Sequence, residues 1–297
     1  MKKAFLDLHL AILLAGFTAI LGKLIQLNEG ILVWYRMMLI AVTLGVILYF
    51  SGELIYPGFK NMVKIFAVGG VLAMHWVSFY GSIKYSNVSV SVTCLSAIGF
   101  FTSLFEPLIM GRRLDYKEVL LGSLSILGVY LIFNFYPQYK TGIAFGITSA
   151  LLASFFPIFN KNLLDRYSAK TLTFYEMAGG VVTLTLLVPL YLRFFPAAYY
   201  LPTFSDWMWL LILAWVCTVF AFILSLNSLI HISAFTVNLS YNLEPIYSLI
   251  LAFLIFKEQK FLGPGFYLGL GLILLAITLQ MRRVWVQRNS QKNLPPV

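Results

Sequence analysis

Apolar runs of about 20 residues recur from one end of the chain to the other, each closed by a short cluster of charged or turn-forming residues. A helix of that length crosses the hydrocarbon core of a bilayer, so the pattern predicts spans near 5–25, 29–50, 62–83, 88–110, 117–134, 140–160, 170–194, 207–228, 232–256 and 261–281. The connections are too short to hold a soluble domain, which places any function inside the membrane. The ninth run differs from the rest. It carries Glu244 near its middle, with Pro245 directly after it and Asn238 and Asn242 beside it. A carboxylate at that depth costs roughly 3 kcal/mol on insertion scales. Pro245 cannot donate to the carbonyl of Tyr241, so a helix break is expected there. Such a stretch is expected to line a polar cavity.

Composition agrees: 60% of the residues are hydrophobic and 11% charged, against roughly 25% charged in a soluble domain. The N-terminal run resembles a signal peptide but continues to about Ile25 and precedes many further spans, so it reads as an uncleaved first helix. The net charge of +10 is spread over helix ends rather than gathered in one patch, which argues for membrane orientation and against nucleic acid. With a cytoplasmic N-terminus, basic residues divide roughly fourteen to six in favour of the cytoplasmic side. The positive-inside rule then predicts a multi-pass inner-membrane protein with both termini in the cytoplasm. Lys23 and Lys161 read as interfacial anchors, and Trp34, Tyr35, Tyr80, Tyr199, Tyr200, Trp207 and Trp209 as an outer aromatic belt.

The second half echoes the first. Residues 33–44 around Arg36 align with 173–184 around Glu176, sharing an aromatic pair, a Met and a Val-Thr-Leu. A slightly different offset sets Gly99 opposite Pro245 and Arg112 opposite Glu258. Five spans per copy is an odd number, so the second copy must insert upside down. The expected fold is an all-α integral membrane protein of ten transmembrane helices in two inverted five-helix repeats, 1–136 and 137–284, with a polar tail at 285–297.

Tyr241, Glu244 and Ser248 share one helical stripe, flanked by Asn238 and Asn242. These are the first candidates for a substrate or ion pathway, with helix–helix glue as the plain alternative. Glu244 is the candidate to take up and release a proton during transport. In the fourth span Thr93, Ser96, Gly99, Ser103 and Glu106 form a second stripe. His75 and Trp76 lie near mid-span in the third, where His75 could shuttle protons or be a satisfied interior side chain. Arg36 and Glu176 are candidates for interfacial anchoring or for an ion pair that forms and breaks. Pro107, Pro157 and Pro245 are expected helix breaks. Gly265 and Gly269 mark close packing, within the chain or in a homodimer. Cys94 and Cys217 read as small apolar residues, and no metal or cofactor site is predicted. No phosphate-cradling Gly loop, H-E-x-x-H or G-x-S-x-G is present, so no enzymatic activity is predicted.

The chain resembles a drug/metabolite transporter of the EamA type. The likeness rests on the two five-helix repeats, Arg36 early in the second helix, and a closing pattern in each copy: a helix ending in a short charged turn before a Gly-rich helix, 104–122 and 242–269. It covers almost the whole chain. It implies a secondary carrier working by alternating access, often an exporter of amino acids or other metabolites. The expected partners are a small-molecule substrate, membrane lipid and, through Glu244, H+ as the candidate coupling ion, with the chain a monomer or homodimer. The acidic residue usual in the closing turn stands as Glu258 but is replaced by Arg112 in the first copy. Two rival readings remain: a membrane-embedded enzyme acting on lipid intermediates, with Glu106 and Glu176 as its only candidate pair, and a non-transporting sensor or scaffold.

Overall fold

The structure, a computed structural model, describes residues 2–164, 166–229, 231, 237, 240–241 and 243–292. Among the described residues there is no strand, and nine helical stretches are long and apolar enough to cross a membrane. The first three spans are α1 (Lys2–Leu24), α2 (Glu29–Phe50) and α3 (Phe59–Tyr85). The fourth is split into α4 (Val88–Cys94) and α5 (Ile98–Met110) by a 3₁₀ turn, Leu95–Ala97. Then come α6 (Tyr116–Phe135), α7 (Lys140–Leu164) and α8 (Ala169–Phe194). The eighth span joins α9 (Phe204–Leu211) to α10 (Ala221–Leu229) through a π segment, Ile212–Phe220. Of the expected ninth span, α11 (Glu244–Phe256) is a shorter apolar helix, and α12 (Pro264–Lys292) completes the set. Asn238 and Asn242 lie outside the described residues.

Local chemistry sets the helix starts. Asn28, Asn87, Asp115, Ser168 and Thr203 stand at the N-caps of α2, α4, α6, α8 and α9, and each accepts a hydrogen bond from a backbone N–H of the first turn. Each such cap is worth about 1 kcal/mol. At Thr203 the bond is reciprocal, because the Asp206 carboxylate accepts from the Thr203 N–H. Gly111, at φ 64°, ends α5 in the left-handed conformation.

Two of the three prolines behave differently from expectation. Neither Pro107 nor Pro157 breaks its helix; α5 and α7 run through them. Unwinding in hydrocarbon would strand several backbone groups, whereas a proline inside the helix removes one rung. Pro245 lies at the second position of α11, directly after a turn at Leu243. A first-turn proline forfeits no helical hydrogen bond, so Pro245 suits the start of α11, where helical residues 240–241 give way to the turn at Leu243.

Glycine decides how closely the helices approach. A Cβ on Gly69 of α3 would run into the carbonyl of Glu176 on α8, and one on Gly179 of α8 would meet the backbone of Phe66. Gly128 of α6 and Gly269 of α12 meet in the same way, and Gly265 is filled by Phe135. Gly265 and Gly269 thus serve packing within the chain.

Contacts between the halves follow one rule. The first span packs on the eighth and the sixth on the third; the first packs on the ninth and the sixth on the fourth. The second meets the seventh, the fifth the tenth, and the fourth the ninth. Exchanging each span with the one five places away leaves this set unchanged.

Candidate functional site

The most demanding group in the interior is Arg36, 5% exposed on α2. Its Nη1 donates to the Tyr80 hydroxyl at 2.7 Å and its Nη2 to Thr218 Oγ1 at 3.0 Å. The guanidinium lies over the Trp76 ring, 3.8 Å from its centre. Trp76 and Tyr80 are four residues apart on α3, so one helical face supplies both the ring and the hydroxyl. Thr218 comes from the π segment, where its hydroxyl donates to the Leu213 carbonyl at 2.8 Å and so presents a lone pair to Arg36. The Arg36 Nε is buried without a partner. Among the described residues no carboxylate forms a salt bridge with Arg36. A buried cation left so costs several kcal/mol, which two neutral acceptors and a ring face offset only in part.

Glu244 stands in the first turn of α11, within electrostatic reach of Arg36. Its side chain is partly exposed, as are Trp76 and Thr218, whereas Tyr80 is fully buried. Gly16 of α1 admits this helix start closely: a Cβ there would crowd Ser248 and the carbonyl of Glu244. A cation and an acidic group from the two halves therefore address one interior region, with no salt bridge between them among the described residues.

The remaining sequence candidates lie elsewhere. His75 points to α7, its Nδ1 2.9 Å from both the carbonyl and the hydroxyl of Ser149, and is a satisfied interior histidine. Ser248 donates to the carbonyls of Gly16 and Glu244, and Tyr241 shares a 2.6 Å hydrogen bond with Ser225, so both tie helices together. Ser96 donates to the Thr93 carbonyl. With Thr93 and Pro245 it lines a separate apolar cavity of about 90 Å³ beside α12. Glu176 is buried on α8 near Asn160, with Oε1 unpartnered. It forms no ion pair with Arg36, whose donors face Tyr80 and Thr218. Glu106 lies within electrostatic reach of Glu118. A larger cavity, about 210 Å³, opens between α2 and α8 beside Trp34, Tyr35 and Tyr200, and holds no charged group.

Sequence reasoning missed Thr218 and the pairing of Tyr80 with Arg36. Tyr80 was expected in the aromatic belt, but it is fully buried against Arg36. Its spacing from Trp76 was the available signal. Thr218 is a lone hydroxyl in an apolar run, and the π geometry that aims it leaves no mark in the pattern.

Five connections meet at one end of the bundle and are locked together. Glu258, 3% exposed, takes Lys23 Nζ at 2.7 Å, the Ser89 N–H at 2.8 Å, the Ser89 hydroxyl at 2.6 Å and the Val88 N–H at 3.2 Å. Lys23 is thus an ion-pair partner, held also over Phe256, rather than a free anchor. Lys84 donates to the carbonyls of Ile25 and Leu27. Asp206 accepts from the Gln26 N–H and the Tyr199 hydroxyl. Burial, then that hydrogen bond to Asp206, push the Tyr199 phenol up to about 12. Tyr136 accepts from the Gly263 N–H. At the opposite end the ion pairs Lys170–Glu53 and Arg283–Asp115 are more exposed.

A family model described as the EamA-like transporter family matches residues 3–134 and again 140–282. A protein of Archaeoglobus fulgidus named an uncharacterized transporter is 30% identical over 154 residues, 50% of this chain. The matched stretch spans about half of that relative, 54% of its length. A second so-named protein of the same organism is 25% identical over 205 residues, 69% of this chain and 71% of its own. A solved structure titled only as the crystal structure of a protein aligns with 96% of this chain and 99% of its own, at a TM-score of 0.58 and 17% identity. That likeness speaks for the fold alone.

Proposed function

The chain belongs to the EamA-like transporter family, and on that premise we propose a secondary carrier of small metabolites that works by alternating access around Arg36 and Glu244. The observation that carries this reading is the pair itself. A buried guanidinium from the second span, which no carboxylate among the described residues pairs, and a carboxyl from the ninth face one interior region, an arrangement that a scaffold sealed for stability alone would not need.

The exchange-symmetric contacts, with an odd number of crossings per half, support inverted repeats rocking about a central site. Under the positive-inside assignment the locked end is the outer one, so this conformation is closed outward. We read the direction as export across the inner membrane, with both termini cytoplasmic, Glu244 as the proton-coupling group and amino acids or amphipathic organic solutes as cargo. A metabolite screen in proteoliposomes at two pH values, on the parent chain and Glu244→Gln, tests the reading. Uptake of at least one solute, with a pH response lost in the variant, is expected. No transport of any metabolite would end the carrier assignment, and an unchanged pH response would end the role of Glu244.

A further inference from the structure

Arg36 is more than nine-tenths buried, yet its Nε–H has no acceptor and, among the described residues, no carboxylate forms a salt bridge with it. Its two hydrogen bonds go to neutral hydroxyls, Tyr80 and Thr218, which fix its plane. Trp76 covers one face of that plane, and Trp76 and Thr218 beside it, like Glu244, are half-buried residues. Orientation is therefore complete while charge compensation is not. A planar fork held in this way suits a planar two-oxygen anion, which accepts parallel N–H bonds that a halide or a neutral amide cannot match.

We infer that the transported solute carries a carboxylate and that Arg36 is the group that receives it. The inference rests on the carrier reading above and narrows its substrate class. The carboxylate docks against the unpartnered Nε–H side of the guanidinium, with the body of the solute along the Trp76 face. Tyr80 and Thr218 are positioning residues, since they hold Arg36. Glu244 bears a second carboxyl near the same cation, so a proton accompanying the solute keeps the loaded site from carrying excess negative charge.

The test compares acids with their isosteric amides on purified full-length protein in nanodiscs. The probes are 3-phenylpropionate, benzoate and L-phenylalanine, each against its primary amide, read by thermal-unfolding shift. At least one acid should stabilise the parent chain, with about tenfold weaker binding of its amide. Arg36→Gln should erase the difference and Arg36→Lys, which keeps charge but not the fork, should keep only part of it. If those variants fail to fold, the acid–amide comparison on the parent chain still decides. Equal shifts from acid and amide overturn the inference, and so does no shift from any acid. Counterflow of the same probes in proteoliposomes separates the two readings: acid-selective binding without counterflow removes the carrier and leaves the carboxylate site, whereas counterflow indifferent to the carboxylate does the reverse.

Discussion

Lys23 and Glu258 lie 235 positions apart in the sequence and bring their charges to 2.7 Å. The two partners are not equivalent. Glu258 also accepts from two backbone N–H groups at the start of α4, while Lys23 is 37% exposed at its side chain. Glu258→Ala should cost about 3 kcal/mol, because it strands those buried donors as well as the cation. Lys23→Ala should cost clearly less. Thermal unfolding of both variants in nanodiscs, with hydrogen exchange at Val88 and Ser89, checks the order; equal losses would mean that the ion pair alone matters.

Gly69 and Gly179 let helices of the two halves approach closely. Gly69→Ala should lower the yield of monodisperse protein, since the new methyl meets the Glu176 carbonyl, a backbone atom that cannot rotate aside. The loss is about 3 kcal/mol. Gly271→Ala is the control, as nothing lies within 4 Å of its position. Size-exclusion profiles of the two should differ plainly, and matching profiles would contradict the contact.

Tyr80→Phe removes the acceptor of Arg36 Nη1 and leaves a buried charged donor unpaired. A loss of about 1–3 kcal/mol is expected, and Thr218→Val should act similarly through Nη2. Chemical unfolding curves measure both. A neutral result for both would show that water already serves the guanidinium.

Lys257 holds φ at 54°, a left-handed conformation at the end of α11 that turns the chain so that Glu258 points back into the bundle. Glycine adopts that conformation without a Cβ clash. Lys257→Gly should therefore raise stability by about 1 kcal/mol despite the lost charge. A fall in melting temperature would indicate that the Lys257 side chain is itself a contact.

The spans were legible because a 20-residue apolar run has few other uses, and Arg36, Trp76 and Glu244 stood out as costly or bulky groups within spans. The assembly of the site was not legible. Helical spacing finds residues on one face of one helix, but the Arg36 cluster draws on α2, α3 and the π segment. Tyr80 looked interfacial because the aromatic-belt rule reads depth from sequence and cannot see which way a ring points. Ser248 and Tyr241 shared the stripe of Glu244, yet their hydroxyls are occupied by Gly16 and Ser225. Glu258 carried no sign of its role, since its partners come from the first and fourth spans.

The π segment, Ile212–Phe220, has a mechanical consequence. Its backbone is wound more loosely than the α-helical pieces on either side. Tightening it to α-helical winding would trade each hydrogen bond for another one residue nearer, so the swap would leave no peptide group stranded in hydrocarbon. The lower part of the span would swivel about its own axis as the turns closed up, carrying the Thr218 hydroxyl away from the guanidinium it now steadies. Rewinding within the eighth span would thus act directly on the hold that Thr218 has on Arg36.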